Sequence, residues 1–158
     1  MTGQQARPPI VLRPGEGESV ELLGNRITIT VPGTATGDAF SVIVYEAAAG
    51  FAGPPLHRHA FDELFYVLDG TVRFKAGAEA LEAAPGTTVF VPGGVPHTFA
   101  TTAAGPATLL ITMAPAGFEE FFVDGAERLR GILDPAAART VLGELNHVYG
   151  VEVVSPTL

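Results

Sequence analysis

Two of the four histidines in this chain stand two residues apart in the stretch Pro54 to Gly70, PPLHRHAFDELFYVLDG. On an extended strand, side chains alternate between faces, so His57 and His59 point the same way; on a helix they would diverge by about 200°. Glu63 follows after a gap wide enough for a bend, and its carboxylate can reach the same point from the start of the next strand. His97 sits in GTTVFVPGGVPHTF, past a Pro-Gly-Gly turn and at the head of another apolar strand. Three imidazoles and one carboxylate form a mixed nitrogen and oxygen donor set. Such a set suits a divalent first-row metal, because imidazole serves Zn, Cu, Fe and Ni while the carboxylate adds hard-donor character. With a divalent ion the site carries a net charge of about +1.

The spacing is more specific than a lone His-x-His. His57-x-His59, three residues, Glu63, six residues and Gly70 are followed by Gly86, five residues, Pro92, one residue, Gly94, two residues and His97. This resembles the two signature motifs of the cupin superfamily. The resemblance implies an all-β fold, an antiparallel jelly-roll barrel, with His57, His59, Glu63 and His97 as ligands of one divalent transition metal per chain: Fe, Ni, Mn, Co, Cu or Zn. Two positions depart from the pattern. Phe51 stands where the first motif usually opens with glycine, and Thr101 where the second usually closes with asparagine; neither removes a ligand. Burying a histidine without a partner is costly, so three aimed at one point need a reason.

At 158 residues the chain fits one domain with a sizeable core. The motifs occur once, and His147 is the only other histidine, so a second site of this kind cannot be built. The net charge of −8, with scattered basic residues, speaks against a phosphate-binding face, and nucleic acid is not an expected partner. The absence of cysteine excludes disulfides, thiolate ligands and a thiol nucleophile. The N-terminal residues MTGQQARPPIVLRPGE lack the apolar core of a signal peptide, and no apolar run approaches the roughly 20 residues that span a bilayer. The expected location is cytoplasmic, with no membrane partner.

Along the chain, residues 1–16 read as an N-terminal arm with Ile10 to Leu12 a candidate edge strand, residues 17–116 as the barrel, and residues 117–158 as a helical segment packed on it. Val20 to Leu23 and Ile27 to Val31 flank a Gly24-Asn25 hairpin signal, Pro32 to Asp38 reads as a loop, and Phe40 to Ala47 as a long apolar strand. AAAGFAGPP is a turn-rich approach to the first ligand. Asp69-Gly70 signals a type I′ hairpin between Glu63 to Leu68 and Thr71 to Lys75, which would fix the register that places Glu63. Thr87 to Val91, Thr98 to Thr101 and Thr108 to Met113 complete about ten short strands, the reading for an antiparallel sandwich or barrel. No helical period appears before residue 117. There Phe118, Phe121 and Phe122 form one apolar stripe, expected to pack on the outside of the barrel. Asp134 and Pro135 then cap a helix that runs to about Tyr149, with Val141, Leu145 and Val148 on one face and Gly150 as its stop. His147, in its last turn, reads as a surface residue that complements the helix dipole.

Parity places a pocket beside the ligands. Phe99 and Thr101 share a face with His97, and Phe65 and Val67 share one with Glu63. Phe40, Val42 and Val44 are further candidates for the wall, on a strand whose parity is undecided. Apolar walls around a polar centre suit a small organic substrate. Together, PPLHRHAFDELFYVLDG, TMAPAGFEEFF and YGVEVVSPTL look like single-domain cupins described as quercetin dioxygenase-like. That resemblance implies a dioxygenase-type oxidoreductase in which Glu63 is both ligand and catalytic base. The same four residues serve a zinc-dependent cyclase or isomerase equally well, and a non-catalytic small-molecule-binding cupin is the third reading. Barrels of this family often pair through edge strands, so a homodimer is expected.

Overall fold

Alternation of apolar and polar side chains makes strands the main regular element of this chain, and they bury their apolar faces against one another in two layers. The computed structural model describes residues 6–155, so the first five residues of the expected arm and the last three of the tail lie outside it. The elements are β1 (Glu18–Leu22), β2 (Asn25–Val31), α1 (Gly33–Thr36), β3 (Ser41–Ala47), β4 (Leu56–Arg58), β5 (Asp62–Asp69), β6 (Val72–Ala76), β7 (Glu79–Ala83), β8 (Thr88–Val91), β9 (His97–Thr101), β10 (Ala107–Ala114), α2 (Glu119–Arg128), α3 (Pro135–Val148) and β11 (Glu152–Ser155). One antiparallel sheet has the order β1-β2-β3-β10-β5-β8 and the other β11-β4-β9-β6-β7. They face each other as a jelly roll without closing into a continuous hydrogen-bonded barrel. Among the described residues no helix is long and apolar enough to cross a membrane.

Ile43 and Tyr45 of β3, Leu109 and Ile111 of β10, and Phe65 and Val67 of β5 point into the sandwich and are buried. Their partners on the opposite sheet include Val72, Phe74 and Phe99. Neighbouring residues on the same strands face outward, which is why Tyr66, Leu68 and Phe90 stay exposed.

Several sequence expectations shift. Ile10 to Leu12 forms no strand and is exposed. The first hairpin turns on Leu23-Gly24, one residue earlier than expected, with both residues at positive φ and Leu22 paired to Asn25. Asn25 is drawn into the strand because its side chain is buried, donating to the Leu22 and Leu23 carbonyls and accepting from Ala48 N–H. The hairpin expected at Asp69-Gly70 does not form. At Gly70 (φ 77°) the chain crosses from one sheet to the other, and a Cβ there would collide with Pro106 and Ala107. The register of Glu63 is set instead by Met113 on β10 and Val91 on β8. The segment read as loop after Pro32 contains the short α1, and β7 was invisible because Glu-Ala-Leu-Glu-Ala carries no strand propensity.

At the C-terminus, Asp134 caps α3 by accepting from Ala137 N–H. Leu145 is fully buried, but Val148 is 66% exposed and does not share its face. His147 is exposed in the last turn, as expected. The helical segment then ends in a strand: β11 pairs with β4, and Glu152 makes a bidentate contact with Arg58 at 2.8 and 2.9 Å.

Helix α2 is fastened to the sandwich by Glu119, a buried carboxylate that accepts from Gly33 N–H at 2.8 Å and Gly117 N–H at 2.7 Å. Burial alone would raise its pKa, but these main-chain donors outweigh it and the group lies below its ordinary 4.5. The resulting stability is complete above about pH 4.5 and is lost as pH falls through the depressed native value. Glu119→Ala is expected to cost about 2 kcal/mol in urea unfolding at pH 7, from loss of two charge-assisted hydrogen bonds. The wild-type advantage should shrink on acidification below pH 4.5; a difference independent of pH would refute this account.

Candidate metal centre and cavity

His57 lies in β4, directly opposite His97 of β9 across the sheet. His59 follows just past the end of β4, with exposed Arg58 between the two buried rings, so the alternation inferred from His-x-His holds. Glu63 rises from β5 in the other sheet. Gly53 (φ 84°) lets the approach to β4 lie against the Phe99 carbonyl, a position where any Cβ would clash.

Each ring is held through Nδ1, 2.8 Å from the Pro55 carbonyl for His57, 3.0 Å from that of Phe61 for His59 and 2.9 Å from that of Val95 for His97. A carbonyl only accepts, so each Nδ1 carries a hydrogen and Nε2 is the ring atom that faces inward. The donor atoms of the three histidines all lie within 4.8 Å of one another, within metal-binding distance of one point. Glu63 adjoins this group: its Oε2 is 3.0 Å from Nε2 of His59 and 3.0 Å from Nε2 of His97, which are themselves 3.2 Å apart. Lone pairs facing one another at such distances require a proton or a cation between them. The donor set therefore fits a divalent transition metal, and three main-chain carbonyls orient its rings from behind.

The electrostatics follow. Burial, reinforced by the neighbouring His97, pushes His57 down to about 4. Burial raises Glu63, but hydrogen bonds with His59 and His97 overcome it and hold the carboxyl at about 2. For His97, burial lowers the pKa, yet the Glu63 carboxylate outweighs it and the net shift is upward.

Next to this cluster opens a cavity of about 460 Å³. Its wall is mostly apolar, with His57, Glu63 and His97 at one end. Of the residues expected to line it, Phe65 and Phe99 do. Val67 is packed in the core, and Thr101 is occupied structurally, donating to the Ala48 carbonyl and accepting from Phe51 N–H. Phe40 precedes β3 and is exposed, while Val42 and Val44 lie on its outward parity. The inward residue of that strand in the cavity wall is Tyr45. The phenylalanine stripe is also corrected. Phe118, Phe121 and Phe122 line the cavity instead of packing on the outside, because Glu119 anchors α2 against the sandwich.

Sequence reasoning also passed over Phe61, whose ring stacks flat on His59 at 3.6 Å and continues into Phe118 at 4.9 Å. Val153 of β11 lines the cavity while pairing with His57. The β-branched run Val151 to Val154 was the signal for that strand.

Residues 43–113 match the model of the cupin domain. Over that stretch the chain is similar to cupins. Over 93 residues, it is 34% identical to quercetin 2,3-dioxygenase from Bacillus subtilis (strain 168), a match covering 58% of this chain and 27% of that protein. The chain thus spans about a quarter of the length of that curated relative. An RmlC-like cupin from Shewanella frigidimarina NCIMB 400 shares the fold with a TM-score of 0.62 at 17% identity, covering 72% of this chain and 96% of the other. The polyketide cyclase RemF from Streptomyces resistomycificus gives 0.57 at 19% identity, covering 66% and 78% respectively. At these identities the two structures establish the fold alone.

Removing two ring nitrogens from opposite strands should abolish metal binding. A His57→Ala/His97→Ala variant, checked by elemental analysis after reconstitution with each of the six metals, is expected to retain none above background. Retention at the wild-type level would show that the ion sits elsewhere.

Proposed function

We propose that this protein holds one divalent transition metal on His57, His59, Glu63 and His97 and acts in the cytoplasm as a dioxygenase-type oxidoreductase on a small, largely apolar organic molecule. The observation that carries the reading is the convergence of three fixed Nε2 atoms and the Glu63 carboxylate at one end of an aromatic-walled cavity. Similarity to a quercetin 2,3-dioxygenase supports this reaction class.

When bound, the ion supplies a Lewis-acidic, redox-capable centre. The protein's own contribution is positional and protonic. Phe65 and Phe99 flank an apolar ring system and keep water from its reacting face. Among the described residues Glu63 is the only carboxylate in the cavity wall, so it is the group placed to take a proton from a substrate hydroxyl and leave an enolate oxygen facing the three histidines. The facing histidines hold its pKa down, so the carboxylate is ionised across neutral pH and free to accept a proton.

Protein purified without chelator or affinity tag should contain about one redox-active metal ion per chain and consume oxygen with flavonols or diketones. Zinc with no oxygen uptake would overturn the oxygenase reading in favour of a cyclase or isomerase. Glu63→Gln is expected to abolish turnover; survival of both metal content and turnover would remove Glu63 from both roles.

The same reading includes a homodimer. The exposed Tyr66, Leu68 and Phe90 on the outer face of β5 and β8 support it, and β1, β7, β8 and β11 leave sheet edges among the described residues. Light scattering should give a mass near twice 16.4 kDa, whereas 16.4 kDa itself would refute pairing.

A further inference from the structure

Outside the histidine and Glu63 cluster, the cavity wall carries three polar side chains, Tyr45 of β3 and Arg139 and Asn146 of α3, and Tyr45 is the most deeply buried of them. Tyr45 stands on the inward face of β3 and is only 6% exposed. Its ring meets Phe99 edge-on at 5.4 Å and Phe122 at 6.0 Å, with Phe51 at 6.2 Å, so the phenol is set among aromatic neighbours. The Tyr45 hydroxyl makes no hydrogen bond among the described residues, and the residue borders the cavity. A buried tyrosine hydroxyl ordinarily finds a partner, and leaving it unpaired costs free energy.

Strand register says where Tyr45 lies along its strand relative to the histidine and Glu63 cluster. Glu63 faces Met113 on β10, and Met113 faces Ser41 on β3; Tyr45 is further along β3, facing Leu109. Four residues at about 3.3 Å each place the Tyr45 backbone roughly 13 Å along the strand direction from the level of Glu63. Phe65, Phe99 and Ile111 line the wall between them. Along the strands an apolar, largely aromatic stretch therefore separates Tyr45 from the Glu63 cluster, while Arg139 and Asn146 belong to the α3 side of the wall.

We infer that Tyr45 is a specificity-determining residue whose hydroxyl donates a hydrogen bond to an oxygen at the end of the substrate remote from the metal-ligating cluster. The pocket then selects flat aromatic molecules oxygenated at both ends over those oxygenated at one. This rests on the proposed function, which places the substrate's first oxygen against His57, His59, Glu63 and His97. Burial raises the Tyr45 pKa, so the group stays a phenol at neutral pH and acts as a donor toward a carbonyl, ether or hydroxyl oxygen.

Tyr45→Phe removes the hydroxyl and leaves the ring packing in place. Metal-loaded wild type and variant are titrated calorimetrically with quercetin, which carries hydroxyls on its outer rings, and with 3-hydroxyflavone, whose hydroxyl and carbonyl share one edge. The variant should bind quercetin about three- to tenfold more weakly and 3-hydroxyflavone unchanged, with the same metal content and thermal midpoint as wild type. Equal changes for both probes, no change for either, or failure of wild type to bind either would overturn the inference. Oxygen uptake in the same samples reports on the reaction separately. Binding without uptake sinks the oxygenase and leaves Tyr45 to be judged on the two affinities.

Discussion

Three imidazoles and a carboxylate share one buried point only with something positive among them, because Nε2 atoms and a carboxylate oxygen stand about 3 Å apart there. Main-chain carbonyls of Pro55, Phe61 and Val95 remove the easy escape by occupying the Nδ1 side of every ring. The cluster is thus committed to accepting something positive, a proton or a metal ion. Much of the architecture around it keeps that repulsive arrangement in place. His57 is locked against His97 by strand pairing, Phe61 stacks on His59, and Glu63 is registered between β10 and β8. Released from those constraints, the rings would turn away from one another.

The cavity depends on the same rigidity in a different way. Its walls are inward residues of both sheets, while its outer side is formed by α2, α3 and the start of β11. What holds α2 there is a carboxylate bonded to two main-chain N–H groups on segments far apart in the chain. A polar anchor with fixed geometry defines an orientation that contacts between phenylalanines alone would leave loose. The aromatic surface of α2 then faces the ligand space.

The convergence of His57, His59, Glu63 and His97 and the layered antiparallel fold were legible because both depend on local rules: alternation on a strand, glycine and proline at bends, and donor types at fixed spacing. Pairing across the sheets was less legible. Asp69-Gly70 has the chemistry of a hairpin, but glycine at positive φ serves a sheet-to-sheet crossing equally well, and only Pro106 and Ala107 packed against Gly70 decide between them. β3 is apolar on both faces, so parity could not distinguish Val42 from Tyr45. The phenylalanine stripe has a clear helical period, yet period says which residues share a face and nothing of what that face meets. The role of Glu119 depends on Gly33, 86 residues earlier, a separation that no local pattern encodes.

Strand β11 puts a timing constraint on the metal centre. The strand that carries His57 has one neighbour, β9, from the middle of the chain and another from its far end, with Val153 opposite His57. During synthesis, β4 therefore leaves the ribosome long before its second flanking strand exists. The ligand-bearing strand remains a sheet edge, with unpaired main-chain groups on one side, until residues 152–155 have emerged. A metal ion bound before that point would meet a cluster supported on one side only. The His57 strand therefore gains its second flanking strand only once residues 152–155 are available to pair with it.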